Sequence, residues 1–155
     1  MTSAPEDAVR VRPYDSGDEE AVVALWGECG LLVPHNDPRR DIALKLAFQP
    51  ELFFVAEAED GNGRTRVVAT CMAGYEGHRG WLNYLAVDPA LRGRGIGRAV
   101  VAHAEAALRA LGCPKINLLV RRSNEQVVGF YERLGFEVAD LVFLGKPLRG
   151  QGERK

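Results

Sequence analysis

The chain lacks most of what would place it in several functional classes. Its three cysteines, Cys29, Cys71 and Cys113, are odd in number and far apart, with no Cys-x-x-Cys pair. Neither a disulfide framework nor a metal site is expected from that spacing. No apolar run approaches the ~18 residues of a membrane span. Charge of neither sign dominates, since 20 Lys+Arg against 21 Asp+Glu leave a formal net charge of −1. That balance argues against nucleic acid and against membrane surfaces as partners. The opening Met1-Thr-Ser-Ala-Pro-Glu-Asp7 is polar and acidic, unlike a secretory signal. The cytoplasm is the expected compartment. Histidine is scarce, and His35 and His103 read as structural, which leaves His78 as the histidine to consider for chemistry.

What the chain has is enough for one folded domain. At 155 residues with 46% hydrophobic residues it supplies a real core. The expected domain covers residues 1–148, and 149–155 is expected to be a disordered tail. Charge is uneven along the chain. Residues 1–75 hold seven Lys/Arg and thirteen Asp/Glu, whereas 76–155 hold thirteen and eight. An acidic half that receives a cation beside a basic half that holds an anion is one reading; two ordinary solvated faces is the other.

Local patterns give the order of elements. Val9–Arg12 alternates as a strand. Asp15 or Ser16 caps a helix to about Glu28, with Val22, Leu25, Trp26 and Cys29 at helical spacing. Asp37-Pro38 opens a second helix ending near Phe48. Strands 52–59 and 66–75 are joined by Asp60-Gly-Asn-Gly63, a hairpin signal. A strand over 81–87, a helix over 96–111, a strand over 115–120, a helix over 124–134 and a closing strand pair near 136–141 and 142–148 follow. The order β-α-α-β-β-β-α-β-α-β-β predicts an α/β fold with a mixed sheet.

The most specific motif is Leu91-Arg-Gly-Arg-Gly-Ile-Gly-Arg-Ala99, between a strand and a helix. Gly93, Gly95 and Gly97 let the backbone curl. Its amides and those of the first helical turn then converge where the helix dipole is positive, with Arg92, Arg94 and Arg98 around them. This is a cradle for pyrophosphate. A P-loop is excluded because Gly97 is followed by Arg98 and Ala99 rather than Lys and Ser/Thr. A dinucleotide fingerprint is excluded because position 98 is Arg and the segment 115–120 has no acid.

From Arg92 the motif reads Arg-x-x-Gly-x-Gly, and it resembles the acetyl-CoA loop of the GNAT family of N-acetyltransferases. Asn83-Tyr-Leu-Ala-Val-Asp-Pro89, Ile116-Asn-Leu-Leu-Val120 with Arg-Arg-Ser-Asn124, and Gly129-Phe-Tyr-Glu-Arg-Leu-Gly-Phe136 resemble further family blocks in the right order, over about residues 52–148. Asn36-Asp-Pro38 and Gly74-Tyr-Glu-Gly-His-Arg-Gly80 are similar to bacterial members of the YpeA type. The resemblance implies a sheet whose central parallel fourth and fifth strands splay apart to receive pantetheine. It also implies acetyl-CoA as cosubstrate, bound by Leu85, Ala86, Val87, Arg92, Gly93, Arg94, Gly95, Ile96, Gly97, Arg98 and Asn124. The Leu85 amide would polarise the thioester carbonyl, and Tyr131, seven residues beyond Asn124, would protonate the leaving thiolate.

The general base stays open. Relatives carry a glutamate on the fourth or fifth strand, but this chain has Trp81, Asn83 and Leu119 there. Glu76, His78, Asp37 or a water chain are the alternatives. The expected function is direct acetyl transfer, in a ternary complex, to a primary amine on a small molecule or a protein. The alternative is a non-catalytic CoA-binding sensor or interaction module on the same fold. The chain is compatible with a homodimer.

Overall fold

The computed structural model describes residues 9–148. The opening stretch and the expected tail lie outside the described residues. The chain divides into two compact units, Met1–Leu118 and Leu119–Lys155, each described in turn.

The first unit contains strands β1 (Val9–Pro13), β2 (Phe53–Glu59), β3 (Thr65–Tyr75), β4 (Gly80–Val87) and β5 (Ile116–Asn117), with helices α1 (Glu19–Glu28), α2 (Pro38–Phe48) and α3 (Ile96–Ala110). The strands form one sheet in sequence order; the first four are antiparallel and β5 joins β4 in parallel. Side-chain alternation sends Phe53 and Val55 of β2 to one face, into a cluster with Tyr14, Val22, Leu25, Trp26, Ile42 and Met72. Phe54 alternates to the other face, where its ring meets His103 of α3 edge-on at 4.7 Å. On α3 the buried residues Val100, Val101, Ala104 and Leu108 recur at helical spacing and form its packed stripe. β3 is buried continuously from Val68 to Ala73, as expected of a strand covered on both faces.

The helix starts follow the expected chemistry. Asp15 caps a single 3₁₀ turn, Ser16–Asp18, that leads into α1, and Asp18 reciprocates with a bond from the Asp15 amide at 2.8 Å. Asp37 accepts from the amides of Arg39 and Arg40, and Pro38 takes the first position of α2. In the hairpin, Asp60 accepts from the amides of Asn62 and Arg64.

Two expected elements differ. The strand expected over 115–120 is confined to Ile116–Asn117, paired with Gly80 and Trp81. From Leu82 onward, β4 has only β3 as a strand partner among the described residues, so the parallel pair splays. Among the described residues the second unit has one helix, α4 (Glu125–Arg133). The closing strand pair near 136–141 and 142–148 is absent: residues 136–148 form no strand, and Val138, Leu141, Val142, Phe143, Leu144 and Leu148 are exposed. Alternation supplies a strand preference, but ladder bonds require a partner, and an isolated two-stranded hairpin is marginal in water. Gly145 and Pro147 further weaken the second run.

Candidate active site

β4 carries the first feature of the site. Thr70 pairs with Ala86 and Met72 with Asn83, so Tyr84 and Leu85 face one β3 residue, a β-bulge. Tyr84 sits at φ 51°, the one non-glycine residue at positive φ among the described residues. For an aromatic L-residue this conformation costs roughly 1–2 kcal/mol and persists only if its surroundings enforce it.

Three elements enforce it. The buried Thr70 hydroxyl donates to the Tyr84 carbonyl at 2.8 Å and accepts from Trp26 Nε1 at 2.9 Å. The Tyr84 ring stacks on Trp26, with centroids 3.8 Å apart and planes 12° from parallel. Its hydroxyl donates to Asp41 Oδ2 at 2.5 Å, and Asn36 Nδ2 donates both to that oxygen at 2.7 Å and to the Tyr84 oxygen at 3.0 Å. Burial, then the Asp41 bond, pushes the Tyr84 hydroxyl well above its ordinary value, so it stays a donor. The peptide linking Tyr84 to Leu85 is trans, so its C=O and N–H point in opposite directions. With the carbonyl tied to Thr70 on β3, the Leu85 amide points away from β3, toward the β4 edge that has no strand partner.

Leu85 and Val87 are half-buried and Ala86 is buried. The Val87 carbonyl already accepts from the Cys29 thiol at 3.3 Å. The sequence pointed to Leu85 on this edge and gave no role to the Thr70 hydroxyl, the Tyr84 and Asp41 pair or the Trp26 indole N–H. A β-branched polar residue in an otherwise apolar strand, Val67-Val-Ala-Thr70-Cys-Met72, was the available signal for Thr70. Nothing local pairs Asp41 with Tyr84.

The glycine loop follows. Asp88 begins it by capping the 3₁₀ turn Pro89–Leu91 through the Ala90 amide at 2.9 Å and by accepting from Arg66 at 2.7 Å. Arg66 and the Ala90 amide hold the Asp88 carboxyl below its ordinary value. Gly93 and Gly95 adopt φ 81° and 82°, conformations that L side chains resist. Gly97 lies inside the first turn of α3. Gly95 is the N-cap and makes no side-chain cap bond, and no acid occupies the first turn of α3. The early amides of α3, from Ile96 to Arg98, therefore face outward at the positive end of a 15-residue helix. Arg92, Arg94 and Arg98 are exposed around them. The donors and charges present fit a pyrophosphate group, and a side chain at Gly95 would strain its left-handed backbone.

The candidate bases are largely occupied. Glu76 Oε1 accepts from the amides of His78 and Arg79, and these bonds hold its carboxyl below the usual range. Asp37 is the cap of α2. His78 is exposed in the same turn as Glu76.

In the second unit, Asn124 is the exposed N-cap of α4, but its side chain makes no cap bond. Tyr131 is buried, with edge-on ring contacts to Phe130 at 5.1 Å and Phe136 at 5.3 Å. Phe136 closes over it through an amide bond to the Tyr131 carbonyl at 3.0 Å.

Comparison with known proteins bears on this geometry. The model of the acetyltransferase (GNAT) family matches residues 19–136. An acetyltransferase of Pectobacterium atrosepticum is 48% identical over 140 residues, covering 90% of this chain and 96% of that protein. A solved structure from Agrobacterium tumefaciens, described as an acetyltransferase, superposes with a TM-score of 0.68 at 27% identity, over 89% of this chain and 99% of that one. An aminoglycoside N-acetyltransferase in complex with CoA has a TM-score of 0.70 at 18% identity, over 91% and 95%, a likeness of fold.

Proposed function

The chain belongs to the acetyltransferase (GNAT) family, and from that premise we propose that it moves the acetyl group of acetyl-CoA directly to a primary amine within a ternary complex. The observation that carries this reading is the left-handed Gly93 and Gly95 curl running into the uncapped, acid-free start of α3. It provides backbone donors, dipole and arginine charge for the pyrophosphate of CoA. Arg92, Gly93, Arg94, Gly95, Ile96, Gly97 and Arg98 are assigned to that group, Leu85 to Val87 and Asn124 to the pantetheine arm.

The amine nitrogen attacks the thioester carbonyl carbon; the C–N bond forms, the C–S bond breaks, and charge develops first on the carbonyl oxygen. The Leu85 amide, turned to the open edge of β4, is the donor assigned to that oxygen. The departing thiolate takes a proton from the Tyr131 hydroxyl, and the amine's surplus proton leaves through water, which returns a proton to the tyrosine oxygen. With Glu76 and Asp37 bound by backbone amides, a water route supports the chemistry better than either carboxylate. A primary amine with pKa near 10.4 is neutral about once in 2,500 molecules at pH 7, so this proton loss is a necessary step.

The thiols support direct transfer over an acyl-enzyme. Cys71 is buried, and burial pushes its pKa up to about 12. Cys29 and Cys113 donate to the backbone carbonyls of Val87 and Lys115. Among the described residues no helix is long and apolar enough to cross a membrane.

The test couples binding to turnover. Acetyl-CoA titration by calorimetry should show saturable binding that Gly97→Asp weakens by about 2–4 kcal/mol, through lost phosphate bonds and repulsion. A panel of primary amines should release CoA thiol catalytically. Binding without thiol release from any amine would replace the enzyme reading with a CoA-binding module; unchanged affinity in Gly97→Asp would remove the loop assignment.

A further inference from the structure

The Leu85 amide can polarise a carbonyl only if the bulge keeps it aimed outward, and its direction is controlled from the Tyr84 side of the same peptide plane. The carbonyl of that plane is tied to Thr70. The side chain of Tyr84 is tied at its far end, outside the sheet, by Asn36 in the α1–α2 connection and Asp41 in the first turn of α2. The two bonds to Tyr84 span 43 and 48 positions of sequence, and the third closes them on one carboxylate oxygen. Asp41 Oδ2 accepts from both partners, and Asn36 Nδ2 bridges to the Tyr84 oxygen, so the triangle is closed. Trp26 stacks on the ring between the two anchoring points.

We propose that Asn36, Asp41 and Tyr84 form a positioning clasp that holds the β4 bulge and thereby aims the Leu85 amide, so that α2 controls the chemical step without touching the acetyl group. The inference rests on the assignment of Leu85 as carbonyl donor made above. The clasp is a hydrogen-bonding device. Its carboxylate is engaged by Tyr84 and Asn36, and what it transmits is position rather than a proton.

This differs in its consequences from a role for Asp41 as general base. A base needs an ionisable group, and Asn at position 41 abolishes it. A clasp needs an acceptor oxygen, which Asn retains. It also differs from a purely structural role, which would lower stability and cofactor affinity together with turnover.

The experiment compares Tyr84→Phe, Asp41→Ala and Asp41→Asn with the wild-type protein. For each, thermal unfolding and acetyl-CoA affinity are measured beside kcat, and the Leu85 amide resonance is followed by NMR with CoA and then acetyl-CoA. In the wild type the resonance should move with acetyl-CoA and not with CoA. Tyr84→Phe should lower kcat at least about tenfold, part of the roughly 10²- to 10³-fold that a carbonyl donor supplies, and should shrink the acetyl-dependent shift. Acetyl-CoA affinity should stay within about threefold, because remote binding groups are untouched. Asp41→Ala should behave like Tyr84→Phe, and Asp41→Asn should recover most of the lost turnover.

Full kcat with an intact acetyl-dependent shift in Tyr84→Phe overturns the clasp while leaving Leu85 in its role. An Asp41→Asn variant as impaired as Asp41→Ala also overturns it, by showing that the charge itself acts. A wild-type Leu85 resonance that ignores the acetyl group overturns the carbonyl assignment first and the clasp with it.

Discussion

Thr70→Val is the sharpest test of how the β4 bulge is supported. Thr70 is fully buried, and its hydroxyl both receives the Trp26 Nε1 proton and donates to the Tyr84 carbonyl. Valine has nearly the same shape, so the substitution leaves packing in place and removes only the bridge. Trp26 is 0% exposed, and its N–H would have no route to water; such an orphan costs about 2–3 kcal/mol. The Tyr84 carbonyl belongs to a half-buried residue and can recover some hydration, adding about 1 kcal/mol. The new methyl returns up to about 0.8 kcal/mol. The net loss is about 2–3 kcal/mol, large against a typical total stability of roughly 5–15 kcal/mol. Urea unfolding, with a slope of roughly 2 kcal/mol per molar, should show the midpoint falling by about 1–1.5 M. Thr70→Ser keeps the bridge and loses a methyl, so it should cost about 1 kcal/mol. In Trp26→Phe the orphan donor is gone, and adding Thr70→Val there should cost about 2–3 kcal/mol less than in the parent, a coupling visible in a double-mutant cycle. A Thr70→Val protein within about 0.5 kcal/mol of Thr70→Ser, the usual effect of a change away from any such feature, would refute the bridge as a support of the bulge.

Three other outcomes are expected. Tyr131→Phe should lower kcat by about 10²-fold, the lower end for general acid catalysis because a thiolate leaves fairly well unaided, with acetyl-CoA affinity nearly unchanged; steady-state rates and calorimetry on the same preparation check this, and full kcat would return Tyr131 to the core. A Cβ at Gly80 would lie 2.8 Å from Cys113 Sγ and 3.1 Å from Leu108 Cδ1, so Gly80→Ala should destabilise by about 1–3 kcal/mol, and Cys113→Ala in the same chain should return part of that loss in urea unfolding. Asp18 forms a two-point pair with Arg12 at 2.8 and 2.9 Å that holds its carboxyl below the ordinary 3.8. A depressed folded-state pKa contributes stability that is present above 3.8 and lost as pH falls through the depressed value, so Asp18→Asn should be less stable than wild type at pH 7 and converge with it in acid unfolding.

The glycine turn into α3 was legible because its determinants are local. Gly93 and Gly95 take the positive φ that their lack of a Cβ permits, and the start of α3 follows within one residue of Gly95. Asp37-Pro38 and Asp60-Gly-Asn-Gly63 likewise encode their cap and hairpin in adjacent residues. The acceptor end was less legible. Glu76 and Asp37 were candidate bases in loops, yet one oxygen of each carboxylate accepts from backbone amides two and three residues away. The closing strand pair failed for the opposite reason, since apolar alternation is a local preference and a ladder is a property of two chains side by side.

The sequence by itself determined the family, the order of the elements through α4 and the glycine turn that opens α3, because periodicity, caps and glycine dihedrals act over one to four residues. Tertiary structure alone decided that β4 bulges at Tyr84 and Leu85. That conformation is unfavourable for tyrosine in isolation. It exists here because Trp26, Asn36, Asp41 and Thr70, remote in sequence, satisfy the ring, the hydroxyl and the carbonyl of one residue at once. No pattern along the chain records such a convergence, since it is the fold that brings the partners within hydrogen-bonding distance.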